Sequence, residues 1–295
     1  ADYLYLDVSA RNDWSSTLRH GNNSYFYPSA ALSWVFSEML RKTADLNDKI
    51  LSYGKLRLSL ARVGNDAAPY LLYSTQTKSA LTDGFNNSEL NFPINSNPGY
   101  TVSNRLENPD IQPEIISASE IGTELGFFED RIKVDFSLYN NISRKNIVSV
   151  NLPASSGYTN GVFNAGKIQN KGLELAVTVT PIRTKSGFKW DIYGTYTRNK
   201  SKVIEIFGDV TELSLGGFNG MDVMATEGME YGVFKTRGMQ RDPNGNVVVG
   251  ADGMPLLTSD AQYFGSYNPK WFGSLGTDIS YKGFKVHALF FHKHG

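Results

Sequence analysis

Apolar and polar residues alternate with period two along much of this chain, and that repetition limits the folds open to it. From Tyr3 to Arg11, Leu4, Leu6, Val8 and Ala10 share one parity while Tyr3, Tyr5, Asp7, Ser9 and Arg11 share the other. Ile132, Val134, Phe136 and Leu138 alternate with Lys133, Asp135, Ser137 and Tyr139. The pattern returns over 172–179, 188–193 and 284–291, and every charged residue of these five segments falls on one parity. Successive side chains of a strand point to opposite faces, so such a pattern marks strands whose two faces meet different solvents. Weaker runs at 25–36, 54–63, 115–127 and 270–281 raise the expectation to about nine strands. Each approaches the roughly nine to eleven residues that a tilted strand needs to cross a bilayer.

The connections sort by length. Glu129–Arg131, Pro181–Gly187 and Lys282–Gly283 are short, whereas 12–24, 64–114, 141–170 and 198–269 are long. Apart from a medium stretch at 37–53, the two kinds alternate. Membrane barrels show this asymmetry, with brief periplasmic turns and extended extracellular loops. Loops this long without regular structure of their own are uncommon unless functional. The stretch 37–53 predicts a short helix on the periplasmic side, with Leu40, Leu46, Ile50 and Leu51 on one face.

A soluble β-sandwich would also alternate. Three features favour a membrane barrel: a nearly uninterrupted aliphatic face, the sorted loops, and aromatics near segment ends. The last are Tyr25, Phe26 and Tyr27, Trp34 and Phe36, Phe127 and Phe128, and Trp271 and Phe272, where membrane interfaces favour rings. The expected fold is therefore all-β, an antiparallel transmembrane β-barrel segment with long extracellular loops and short periplasmic turns. The alternative is a soluble or surface-exposed β-rich module that binds carbohydrate or peptide.

Charge and composition remove other classes. Lys plus Arg and Asp plus Glu both number 29, giving zero formal charge, which argues against nucleic acid as a partner. The absence of cysteine excludes thiol catalysis and cysteine-held metals. No run of 18 apolar residues and no leader-like start occurs.

No catalytic constellation emerges, and no metal or cofactor is expected. Asp242-Pro243-Asn244-Gly245-Asn246 departs from a calcium loop, with Gly253 where a ligating Glu belongs, and reads as a turn. His287, His292 and His294 cluster without a nearby carboxylate. Gly216, Gly217 and Gly220 lack a phosphate-loop pattern, and Ser274 lacks the nucleophile-elbow pattern. The N-x-[ST] matches at Asn22, Asn86, Asn141 and Asn199 carry no weight in a bacterial chain, and Glu120 with Glu124 reads as a pair of lumenal carboxylates. Candidates for substrate contact lie in the loops. Trp14, Tyr70, Tyr100, Tyr158 and Phe163 could stack on sugar rings or peptide side chains; Asn65, Asp66 and Asn160 could hydrogen-bond hydroxyls or amides. Each could equally pack the loops together.

Longer blocks carry a resemblance. RNDWSSTL (11–18), NNSYFYPSAALSWVFSE (22–38), YGKLRLSLARVGND (53–66) and QPEIISASEIGTELGFFEDRIKVDFSLYN (112–140) resemble the SusC/RagA family of TonB-dependent transporters. So do LPASSGYTNGVFNAGKIQNKGLELAVTVTPI (152–182) and NPKWFGSLGTDISYKGFKVHALF (268–290), in the family's order. The resemblance implies a barrel of about 22 strands plugged by an N-terminal domain, set in the outer membrane of a Bacteroidetes-type bacterium as a multi-pass protein. It implies uptake of oligosaccharides or oligopeptides, powered through TonB and shared with a SusD/RagB-like surface lipoprotein. Residues 1–295 are then expected to be part of a single barrel domain, an interior piece surrounded by outer-membrane lipid. The plug, the TonB-contacting segment and the terminal strands are expected to lie outside it.

Overall fold

The computed structural model describes residues 3–44, 47, 49–82 and 89–295. It begins with β1 (Leu4–Trp14), β2 (Ser24–Trp34), helix α1 (Phe36–Ala44) and β3 (Leu51–Asn65). Five short strands follow: β4 (Gln76–Lys78), β5 (Ala80–Thr82), β6 (Glu89–Asn91), β7 (Tyr100–Val102) and β8 (Arg105–Leu106). Next come β9 (Glu114–Phe127), β10 (Ile132–Arg144), β11 (Ile147–Asn151), β12 (Asn160–Asn164) and β13 (Lys167–Arg183). The chain continues through β14 (Phe188–Glu205), β15 (Glu212–Phe218), β16 (Met221–Thr226), β17 (Val233–Met239) and β18 (Leu257–Ser266). It ends on β19 (Trp271–Tyr281) and β20 (Phe284–His294).

Nine of these strands form one antiparallel sheet in the order β1-β2-β3-β9-β10-β13-β14-β19-β20, matching the number read from alternation. Register explains why parity was so clean. Val134 pairs with Leu125 and Val177, Leu138 with Ile121 and Leu173, and Ile121 in turn with Leu58. Those rows make the outward face. Lys55 pairs with Glu124, and Ser59 with Glu120, so polar residues line the inward face. A one-residue slip would exchange the two faces, and register is therefore strongly specified.

Rings mark both rims of the outward face. Trp34, Trp190, Tyr281 and Phe284 share its parity at the short-turn end, and Trp14, Phe26, Tyr196 and Trp271 at the other. From Leu4 to Trp14 there are ten steps; at about 3.3 Å each and a tilt of about 45° they rise roughly 23 Å, close to the ~25 Å apolar band of an outer-membrane barrel. No helix among the described residues is long and apolar enough to cross a membrane, which leaves strand crossings untouched.

Three expectations need correction. Several strands outrun the alternating segments: β13 has 17 residues and β14 has 18. Beyond the apolar band the outward face turns polar, so period two fades while the ladder of backbone hydrogen bonds continues. The helix at 37–53 ends at Ala44; Leu51 begins β3, Ile50 is exposed, and Leu46 lies outside the described residues, as does Asn86. Glu38 in the helix's first turn and Arg41 and Lys42 in its last complement its dipole. Finally, the long connections are not irregular. They hold the pairs β4-β7 and β5-β6, the sheet β11-β12-β8, and the sheet β15-β16-β17-β18.

Candidate functional site

Two regions can meet a solute: the inward face and the layer built by the long connections. On the inward face Arg57 sits at the centre of a charge network. Its guanidinium donates to Asp135 at 2.7 Å, Glu124 at 3.1 Å and Glu120 at 3.4 Å, and Lys55 reaches Glu124 at 3.0 Å. Cross-strand Gly122 makes the arrangement fit, since a Cβ there would stand 2.6 Å from Arg57 Nε. Glu120 and Glu124 are thus a neutralised pair on the lumenal side rather than a catalytic dyad. Further round, Asp278 accepts from His287 at 2.6 Å and pairs with Lys285 at 3.2 Å. The Tyr193 hydroxyl lies 3.1 Å from the same histidine ring.

The three terminal histidines therefore separate. His287 points inward and does have a carboxylate, Asp278, which the sequence reading did not find. His292 and His294 lie outward against Trp271, at ring distances of 5.1 and 5.8 Å. Among the described residues no cluster of three His, Cys, Asp or Glu could hold a metal. At 242–246 the Asp242 carboxylate accepts from the backbone N–H groups of Asn244 and Asn246 and from the Asn246 side chain, with Gly245 at φ 88°. The segment is a turn, and its own donors occupy the carboxylate.

The connection layer has two small cores. Leu18, Ala67, Leu72, Ile111 and Val162 pack together from three connections far apart in sequence, and Ile111 is 0% exposed. Polar groups stitch the same segments. Ser15 donates to Asp66 at 2.5 Å, Asn108 Nδ2 to the Val162 carbonyl at 2.9 Å, and Asn164 Nδ2 to the Gln112 and Lys145 carbonyls at 2.7 and 2.9 Å. The second core is Val203, Ile206 and Ala225, flanked by Tyr231 and Leu213. It seats the β15–β18 sheet, where Lys235 Nζ donates to Glu212 at 2.7 and 2.8 Å and the Tyr263 hydroxyl donates to the same carboxylate. Those two donors hold the Glu212 carboxyl below the usual carboxylate range, Lys235 contributing most. Burial pushes the Tyr231 phenol up.

The eight candidate residues divide on this frame. Tyr70 and Tyr100 are 81% and 66% exposed, and Tyr158 is also exposed. Tyr70 and Tyr158 are brought near one another through Arg105. Its guanidinium donates to the Tyr70 and Tyr73 carbonyls at 2.9 and 3.0 Å, and the Thr159 N–H beside Tyr158 donates to the Asn104 carbonyl at 2.9 Å. Asn160 lies in β12, in register with Arg105 and Asn151. Phe163 stacks on Phe207 at 5.0 Å. Asn65 Nδ2 donates to Glu114 at 3.0 Å, and Asp66 is taken up by Ser15 and Thr17. Trp14 stands apart, 71% exposed on the outward parity of β1. Arg105 and Tyr73 went unnoticed in the sequence, because backbone carbonyls are Arg105's partners and carry no residue-type signal.

Residues 1–289 match the family described as TonB dependent receptor-like, beta-barrel. TonB-dependent receptor P26 of Formosa agariphila is 29% identical over 95% of this chain, which spans 29% of that relative's length. TonB-dependent receptor SusC of Bacteroides thetaiotaomicron is 25% identical over 70% of this chain and 20% of its own length. Among solved structures the RagAB peptide transporter superposes with a TM-score of 0.76 at 21% identity, over 98% of this chain and 31% of that one. That likeness bears on the fold.

Proposed function

Because the chain belongs to the TonB dependent receptor-like β-barrel family, we propose that it forms part of the wall of an outer-membrane importer for oligosaccharides or oligopeptides. The observation that carries this reading is the combination of two unlike faces with an ordered layer at one end of the wall. The outward face is aliphatic between two aromatic rims, and on the inward face Arg57 and Lys55 offset two of the three carboxylates gathered around them. A polar solute passing such an inner face meets hydrogen-bonding groups without a strong net field to trap it.

The proposed work is selective binding followed by energy-coupled passage, with no bond made or broken. Exposed Tyr70, Tyr100 and Tyr158 offer ring faces to sugars or peptide side chains, and Asn160 offers an amide. Asn65, Asp66 and Phe163 hold neighbouring connections in place, and Trp14 marks the membrane rim. A SusD/RagB-like surface lipoprotein is the proposed lid over the connection layer, with TonB supplying the pull through a segment elsewhere in the receptor.

The test uses the full-length receptor in its own host. It should fractionate with the outer membrane, migrate in a heat-modifiable manner, and co-purify with a surface lipoprotein; its deletion should abolish growth on one class of oligomer. A receptor found in the soluble fraction, with residues 1–295 folding cooperatively without detergent, would sink the reading in favour of a soluble binding module.

A further inference from the structure

The outward face changes character toward the long-connection end. Row by row across β3, β9, β10, β13 and β14, Leu58, Ile121, Leu138, Leu173 and Arg198 give way to Leu60, Ser119, Asn140, Lys171 and Lys200. The next row is Arg62, Ser117, Ile142, Gln169 and Lys202, and Arg144 stands two residues beyond Ile142 on the same face. All the charges in these rows are positive. Glu114, Glu120, Glu124, Asp135 and Glu174 of the same strands occupy the opposite face; Glu205, beyond a register shift, stands in register with Lys167, two strands from Arg144. Among the described residues no carboxylate forms an ion pair with Arg62, Arg144 or Lys171.

A groove of about 670 Å³ runs beside these cations on the same face. Small residues, Ala10, Pro28, Ala30 and Ser119, make its floor, and Phe26 and Leu60 make its walls. It opens directly onto the charges. Arg62 is part of its lining, Arg144 reaches its Ser117 hydroxyl at 3.5 Å, and Lys171 is in register with its Asn140. Two strand spacings of about 4.8 Å separate β3 from β10, which lets both arginine side chains approach one anionic group.

We propose that this surface retains a phosphorylated lipid of the outer leaflet, with an acyl chain in the groove and phosphate held by Arg62, Arg144 and Lys171. The inference rests on the outer-membrane reading above. The occupant follows from charge complementarity and position: unpaired cations at the rim of an apolar band face lipid, and a guanidinium binds phosphate in a bidentate, charge-assisted manner. A lipid without phosphate would fill the groove and leave the three cations without an anionic partner.

The experiment takes the full-length receptor in a phosphate-free maltoside detergent and titrates lipopolysaccharide from its host against it. The wild-type receptor should bind with an affinity that falls as salt rises. The triple variant Arg62→Gln, Arg144→Gln, Lys171→Gln should bind roughly 100-fold more weakly, given the attraction each juxtamembrane cation contributes. Ala30→Trp, which fills the groove and leaves the charge intact, should also weaken binding. Inorganic phosphate should compete only at far higher concentration, because it lacks the chain. Heat-modifiable migration and outer-membrane fractionation are scored for every variant, so that misfolding is seen separately. Inserted wild-type and triple-variant receptors with equal affinity would overturn the lipid site and leave the importer reading standing. A receptor absent from the outer membrane would overturn both.

Discussion

Arg57 joins three carboxylates from two neighbouring strands, and removing its guanidinium would leave Glu120, Glu124 and Asp135 facing one another with only Lys55 nearby. Arg57→Met should lower the stability of the folded receptor by about 1 to 2 kcal/mol, a modest figure because all four groups keep some contact with water. A drop in the temperature at which folded and unfolded bands interconvert on a gel would register it; an unchanged temperature would show the network to be dispensable. Ile111 makes the complementary case in the connection layer. Its side chain is fully enclosed among Leu18, Ala67, Leu72 and Val162, and Ile111→Ala should cost about 2 to 5 kcal/mol of local stability. Hydrogen exchange should then quicken across residues 66–72 and 160–164 while β9 and β10 stay protected.

At the scale of elements, helix α1 is held by the meeting of Phe36 with Gly54 of β3, where a Cβ would stand 2.4 Å from two carbons of the ring edge. Gly54→Val should lift the helix from the strand, at a cost of about 1 to 3 kcal/mol, and open Arg41 and Lys42 to trypsin in the folded protein. Unchanged cleavage would mean that the hydrogen bond from the Arg41 guanidinium to the Ser52 carbonyl of β3 suffices to hold it. The β15–β18 sheet depends on a titratable contact. Lys235 and Tyr263 depress the Glu212 carboxyl, so the folded state binds that proton less readily than the unfolded state. The contribution is full above the ordinary carboxylate range and is lost as pH falls through the lowered value. Exchange at β15 and β17 should quicken there, and Glu212→Gln should remove the pH dependence while raising the neutral-pH rate.

The same scale shows what could be read beforehand. The nine wall strands were legible because a lipid-facing surface tolerates almost no polar residue, so parity is enforced along each span. The extensions of β13 and β14 were not, since Gln169, Lys171, Lys200 and Lys202 continue the outward face of Leu173 and Leu175 once the apolar band ends. The β15–β18 sheet escaped notice for a related reason. Segments such as Glu212–Phe218 and Leu257–Ser266 have both faces largely in water, so no two-solvent pattern is imposed. The grouping of Tyr70, Tyr73 and Tyr158 around Arg105 rests on backbone carbonyls across 32 to 35 residues, and on the Thr159–Asn104 contact across 55.

For the whole molecule, the wall and the layer above it are separable structures. The wall's ladder passes from β14 to β19 with no strand of β15–β18 inserted in it. Replacing residues 208–268 by a short turn should therefore leave heat-modifiable, membrane-inserted receptor. Binding of the proposed lipoprotein lid should be lost, read by co-purification. Loss of insertion instead would mean that the Val203–Ile206–Ala225 core is needed to complete the barrel.

That separation has a consequence over evolutionary time. Because β14 and β19 pair directly, the stretch between them is a cassette with two fixed ends and a free interior. Recombination can exchange such a cassette without renegotiating a single strand register. A lineage of receptors built this way can vary the β15–β18 layer while its strand scaffold stays nearly still.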